Sequence, residues 1–226
     1  MSLDVQLARR LFFHMAIADF FRAIRGGCHM GAFTLSVCAI DAMAYLRNAL
    51  PDDGTRANFK HWVRRWLVPL NKECNPDVLY AVRCGLVHTY GLSDAMRECG
   101  MTGIRYAHNQ PTLHWKQQAP GYYVLSLDRH VAEVTVAAFG FFDDLGSVCQ
   151  SDTAFESELK GRLSSLNLIT RTEIRQRDGQ PPAVKVEIQA PPRYAGMDSA
   201  LAVFDEESPP DVSTVASEIQ RIYSTR

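Results

Sequence analysis

Apolar residues recur at helical spacing through five successive stretches of the first 150 residues, and each stretch ends where a helix cannot continue. The first runs over about 3–25 and meets Gly26 and Gly27, which supply a left-handed C-cap. A second covers about 31–50 and stops at "PDDGT", where Pro51 breaks the helix and Gly54 makes a turn. The third starts near Arg56 with Phe59, Trp62, Trp66 and Leu70 on one face and Lys60, Arg64 and Arg65 turned away. Asn75 as N-cap and Pro76 in the first turn fix the start of the fourth. The fifth follows Asp128 to about 148, with Val131, Val134, Ala138, Phe141 and Leu145 toward the core.

Between 91 and 127 the helical period fails, and "TGIRYAH", "TLHWKQ" and "YYVLSL" around "NQP" and "APG" turns predict a small hairpin. The expected fold is therefore mainly α: a helical bundle over 1–150 with a short β-hairpin insertion. Residues 151–226 read as a small α/β accessory extension. It holds a charged helix over about 153–165, the alternating segments "LITRTEI" and "VKVEI", an acidic "DEESPPD" linker and a last helix near 212–223.

A chain of 226 residues, 46% hydrophobic, can bury a large core without metal or disulfide. With 24 basic and 25 acidic residues the formal charge is -1, so any contact with nucleic acid has to be local. The six cysteines form no CxxC pair and mostly sit inside helical patterns, which predicts reduced thiols and a cytoplasmic protein. Arg9 and Arg10 before "LFFHMAIA" imitate an export signal, but the stripe Leu3, Leu7, Leu11, Ala18 and Phe21 runs straight through the cleavage point. No stretch reads as long enough to span a bilayer, and no membrane partner is expected.

The fourth helix carries the chemistry. Leu79, Val82, Leu86 and Tyr90 make its bulky stripe, whereas Ala81, Cys84, Gly85 and His88 share roughly the opposite side. A mid-helix glycine costs about 1 kcal/mol relative to alanine, so something is expected to approach closely there: another helix, a second copy of this one, or a ligand. Arg83 lies near the bulky stripe and needs a carboxylate, for which Asp41, the only acid in "FTLSVCAIDAMAYL", is the leading partner. Positions 83 and 88 diverge by about 140° around the axis, so two copies related by a two-fold axis bring an arginine and a histidine together more readily than one.

Arg83-Cys-Gly-Leu-Val-His88, late in an all-α bundle and after a helix carrying Asp41, resembles the R-x(4-6)-H motif of the HEPN superfamily over roughly residues 3–148. The resemblance implies a metal-independent endoribonuclease acting as a homodimer through the helix bearing Ala81, Cys84 and Gly85. It also implies RNA as substrate, no cofactor, and a role as toxin or RNA-directed defence factor, with an antitoxin protein as a possible further partner. In that chemistry the RNA's own 2′-hydroxyl attacks. His88 serves as general base or acid, Arg83 stabilises charge on the phosphorane, and Asp41 orients Arg83. Family members commonly carry a polar residue after the arginine, where this chain has Cys84. The alternative readings are a HEPN-like module that binds RNA or nucleotide without cutting, and a protein-interaction module.

Three further groups have plainer readings. Lys60, His61, Arg64 and Arg65 beside Trp62 and Trp66 could grip RNA, but an amphipathic helix always has a polar face. His108, His114 and Trp115 invite a metal reading yet lack a third ligand at suitable spacing. Cys84 as nucleophile has no local base except His88, and an inert thiol accounts for it better.

Overall fold

The structure is a computed structural model that describes residues 3–88, 93–108 and 110–166. Its first helical column consists of α1 (Leu3–Phe12) and α2 (Ala18–Arg25), joined without a break by one π-helical turn, Phe13–Ile17. The extra residue in that turn shifts the apolar face and seats Phe12, Phe13, Ile17, Phe20 and Ile24 all in the core. Gly27, at φ 73°, turns the chain out of α2 in the left-handed conformation that glycine adopts without strain.

The central helix α3 (His29–Arg47) packs against α2, and also against α4 (Gly54–Trp66), α5 (Pro76–His88), α7 (Leu127–Ser151) and α8 (Thr153–Ser165). Asn48, left-handed at φ 41°, closes α3 by donating its N–H to the Ala44 carbonyl at 2.8 Å. The α3–α4 loop is held by Asn58, buried in α4. Its Oδ1 accepts from Leu50 N–H at 2.9 Å, and its Nδ2 donates to the carbonyls of Leu50 and Gly54. α5 opens as its sequence predicts: Asn75 Oδ1 accepts from the N–H groups of Asp77 at 2.9 Å and Val78 at 3.3 Å.

α3 alone among the described helices is long and apolar enough to cross a membrane, contrary to the expectation that no stretch is. Half of its apolar window is buried inside the fold, and it carries Asp41, so its composition is that of a helix surrounded by other helices. The 25-residue α7 completes the core, where Phe13 meets Phe139 with centroids 4.3 Å apart and Phe12 meets Phe142 at 5.4 Å. Gly140 lets Trp66 lie against α7, because a Cβ there would stand 3.1 Å from the indole.

Residues 93–126 depart from the expected simple hairpin. A short helix, α6 (Asp94–Glu98), comes first, capped by Ser93. Three strands follow, β1 (Gly103–Ala107), β2 (Gln117–Ala119) and β3 (Tyr122–Ser126), in the order β1-β3-β2. β2 and β3 are the hairpin, whereas β1 pairs in parallel with β3 in the register Gly103↔Tyr122 to Ala107↔Ser126. The parallel strand could not be seen in the alternation alone, since strand direction is set by where the Pro111–Leu113 turn and α7 anchor the chain.

Three other expectations shift. α7 begins at Leu127 with Ser126 in the cap position, so Asp128 lies in the first turn. Leu70, expected on the core face of the third helix, follows its end and is exposed. α8, expected in the accessory extension, buries Phe155 and Leu159 in the same hydrophobic cluster as the bundle. Beyond 166, the two alternating segments, the acidic linker and the last helix expected from the sequence lie outside the described residues.

Candidate functional site

Asp41 and Arg83, on α3 and α5 respectively, meet as the sequence predicts. The Arg83 Nε donates to Asp41 Oδ2 at 2.6 Å. Both side chains are nearly but not fully covered, at 19% and 18% exposed, so the guanidinium stays within reach of solvent. Burial opposes the charge on Arg83, and Asp41 together with Cys84 more than restores it, so this arginine holds its proton more firmly than usual. Asp41 is pulled the opposite way. Burial pushes its carboxyl above the usual range, and the hydrogen bond and charge of Arg83 only partly reverse this. The difference has a structural source: Asp41 Oδ1 is buried with no hydrogen-bond partner, so one half of the carboxylate is desolvated without compensation.

Around the pair stand Cys38, Tyr80 and Cys84. Cys38 is exposed as a residue, yet partial cover of its sulfur and the neighbouring Asp41 push its thiol up, and burial with Cys84 pushes up the Tyr80 phenol, so both remain protonated at neutral pH. Lys60 of α4 pairs with Asp77 and lies 5.8 Å from the Tyr80 ring centroid, with Arg56 at 5.6 Å. α4 therefore delivers cations to the same side of α5 that carries Tyr80. His88 is the last residue of α5, and its side chain lies outside what the structure describes.

The small-residue face of α5 is not open. Ala81 is fully buried and Gly85 is buried, both within one chain, with α6 packed against α5 and Ser93 Oγ donating to the Ala81 carbonyl at 3.4 Å. At Ala81 the neighbour is thus the chain's own segment at the start of α6. Exposed apolar residues lie elsewhere on the same two helices, Leu35 at 40% and Val87 at 37%, with Cys38 exposed one turn from Asp41.

His108 and His114, six positions and a turn apart, serve different carboxylates. His114 Nε2 lies 3.2 Å from Glu133 Oε2, while its Nδ1 accepts from Ser126 N–H at 3.1 Å. Both ring nitrogens are thereby used, and Glu133 also accepts from Arg129 at 2.8 Å and Asn71 at 3.2 Å. Burial alone would raise the Glu133 carboxyl, but His114 and Arg129 more than reverse this and hold it below its usual range. His108 Nδ1 instead faces Asp128 Oδ1 at 2.9 Å, with the His29 ring 4.4 Å from its own. No group of three or more metal-ligating side chains is arranged for a metal ion among the described residues.

His108 and His114 stand out in the sequence, but their carboxylate partners Asp128 and Glu133 at the start of α7 do not. The groups around them come from α3, the β1–β2 connection and the α4–α5 loop, and no local spacing brings them together. Trp115 contributes to the geometry: it holds the left-handed φ of 62°, rare for a bulky side chain, and donates its N–H to Val124 at 2.8 Å. Comparison with family models, with curated proteins and with solved structures gave no match for this chain.

Proposed function

We propose that the protein is a HEPN-like, metal-independent endoribonuclease acting as a homodimer, with Arg83 and His88 as its catalytic residues and Asp41 positioning Arg83. The observation that carries the reading is the Asp41–Arg83 pair itself. Two residues 42 positions apart hold an arginine at fixed angle, protonated and partly open to solvent, five residues before a histidine on the same helix. A planar cation fixed through Nε suits a phosphorane, whose charge spreads over several oxygens. Histidine suits proton transfer near neutrality.

In the proposed reaction the RNA 2′-oxygen attacks the adjacent phosphorus, His88 moves the proton, the 5′-oxygen leaves, and a 2′,3′-cyclic phosphate remains. The dimer is proposed through α5, the helix carrying Ala81, Cys84 and Gly85; Ala81 and Gly85 are buried within one chain, so the exposed Val87 of α5 and the exposed Leu35 and Cys38 of α3 are its proposed contact residues. An antitoxin partner and a cytoplasmic setting remain part of the same proposal. Cys84, in place of a polar residue, favours a second reading in which the site binds RNA without cutting.

The test is incubation of total cellular RNA with purified protein in EDTA, beside Arg83→Ala and His88→Ala variants shown by circular dichroism to be folded. Cleavage by the parent that falls at least a hundredfold in both variants supports catalysis. RNA binding without cleavage, lost in Arg83→Ala and kept in His88→Ala, supports the second reading. Neither binding nor cleavage contradicts both.

A further inference from the structure

A cleft of about 270 Å³ opens between the end of α3, α4 and α7, away from the elements that carry the Arg83 site's histidine. Its lining is rich in hydrogen-bond donors and poor in acceptors. Arg47, His61 and Arg65 all face it. Asn58 lines it too, but its amide is consumed by the α3–α4 loop. Trp62, 2% exposed, contributes an indole whose Nε1–H is buried without an acceptor. Among the described residues that line it, the single carboxylate is Asp144, which stands 3.7 Å from Arg65, a loose pair that leaves the arginine 62% exposed.

Arg47 makes no ion pair among the described residues, and its guanidinium instead rests over the Phe155 ring at 5.0 Å. Two arginines and one acid leave an excess of positive charge in a recess with rigid walls. Such a recess attracts an anion. The volume lies just under the range of roughly 300–1,000 Å³ that holds drug-sized ligands, which restricts the occupant to a small group. Arginine's planar fork selects among anions for those presenting two oxygens side by side.

We infer that this cleft binds a phosphate group, carried either on a small ester such as a mononucleotide or on a strand of nucleic acid. Arg65 grips it from the open side and Arg47 from the α3 side. Asp144 acts as the internal competitor that Arg65 leaves when phosphate enters. The inference gives a use to the basic residues of α4 that lie off the α5 side, and it rests on the cleft alone, independent of the reading of Arg83.

Isothermal titration calorimetry in phosphate-free, low-salt buffer tests it, with orthophosphate, AMP and a single-stranded RNA oligomer as three separate titrants. Arg65→Gln is the loss variant, since Arg65 is exposed, its pair with Asp144 is loose, and the Trp66 ring it lies over at 5.3 Å is only partly buried; Arg47 is left intact because it covers core residue Phe155. Asp144→Asn is the gain variant, and Arg97→Gln on α6 controls for net charge.

The expected result is binding that weakens about tenfold in Arg65→Gln and tightens severalfold in Asp144→Asn, with Arg97→Gln unchanged. Opposite effects of the two variants are what a purely structural role would not produce. AMP and orthophosphate binding identifies a small ester as the source, while RNA binding alone, lost in Arg65→Gln, identifies backbone phosphate. Failure of all three titrants at millimolar concentration, or affinity that neither variant moves, overturns the inference. The titration does not require cleavage, so an inactive enzyme leaves its outcome readable.

Discussion

Asp41 and His130 are both taken out of water in this fold, with opposite consequences. Asp41 finds a cation, and the pair is worth keeping because removing one partner of a largely buried pair costs about 3 kcal/mol. His130 finds none. It is fully buried on α7, stacked on Phe33 with centroids 4.5 Å apart, and its Nε2 has no hydrogen-bond partner. Burial, with His114 adding to it, lowers its pKa to about 3. The unfolded chain binds a proton at this residue below about pH 6.5 and the folded chain does not until about 3, so stability is lost as pH falls across that window. We expect about 1.5 kcal/mol of acid destabilisation between pH 6.5 and 5 from this residue. His130→Phe should remove that increment, as read by urea denaturation at the two pH values, and equal pH dependence in parent and variant would contradict the assignment. Asp41 and Arg83 were legible in the sequence because each is anomalous on its own apolar stripe. His130 was not: a lone histidine on α7 looks like any polar residue until the Phe33 ring is placed against it.

Helices were the legible elements, and their caps explain why. Asn75 and Gly27 do in the structure what their chemistry predicts, and the charged helix expected over 153–165 is α8, capped by Asp152 accepting from Phe155 N–H at 3.0 Å. α6 has only five residues, too few for a period to appear. The parallel pairing of β1 with β3 depends on contacts distant in the chain. Gly121 shows how tightly that pairing is set. It holds φ 72°, and a Cβ there would lie 2.3 Å from the Gly100 carbonyl oxygen. Gly121→Ala should therefore cost at least about 2 kcal/mol, from the left-handed backbone and the clash together. Chemical denaturation checks this, and a loss under about 0.5 kcal/mol would show that the turn relaxes. All three candidate residues were read from the sequence, and the structure brings two of them, Asp41 and Arg83, together. The packing of α6 against α5, with Ser93 on the Ala81 carbonyl, could not be read, because Ala81 looks the same whether a neighbour comes from the same chain or from another.

At the scale of the molecule, the core runs past the end of α7 into α8. Phe155 is buried and lies beneath the guanidinium groups of both Arg47 and Arg162, and Arg162 also donates to the Leu46 carbonyl at 3.0 Å. α8 thus belongs energetically to the bundle. Phe155→Ala should lower stability by about 3 kcal/mol while keeping a single unfolding transition, and an unchanged main transition with a separate early loss of helix would place α8 outside the cooperative unit. The proposed dimer makes the same kind of claim one level up, since positions 83 and 88 diverge around α5 and a second copy supplies what one helix cannot converge. The chemistry those residues are proposed to perform leaves a signature in its products. The direct measurement is mass spectrometry of the RNA ends formed in EDTA by the parent, Arg83→Ala and His88→Ala proteins. The account predicts 2′,3′-cyclic phosphate ends from the parent and none above background from either variant. Cleavage with linear phosphate ends, or cyclic ends at equal yield from all three proteins, would contradict it.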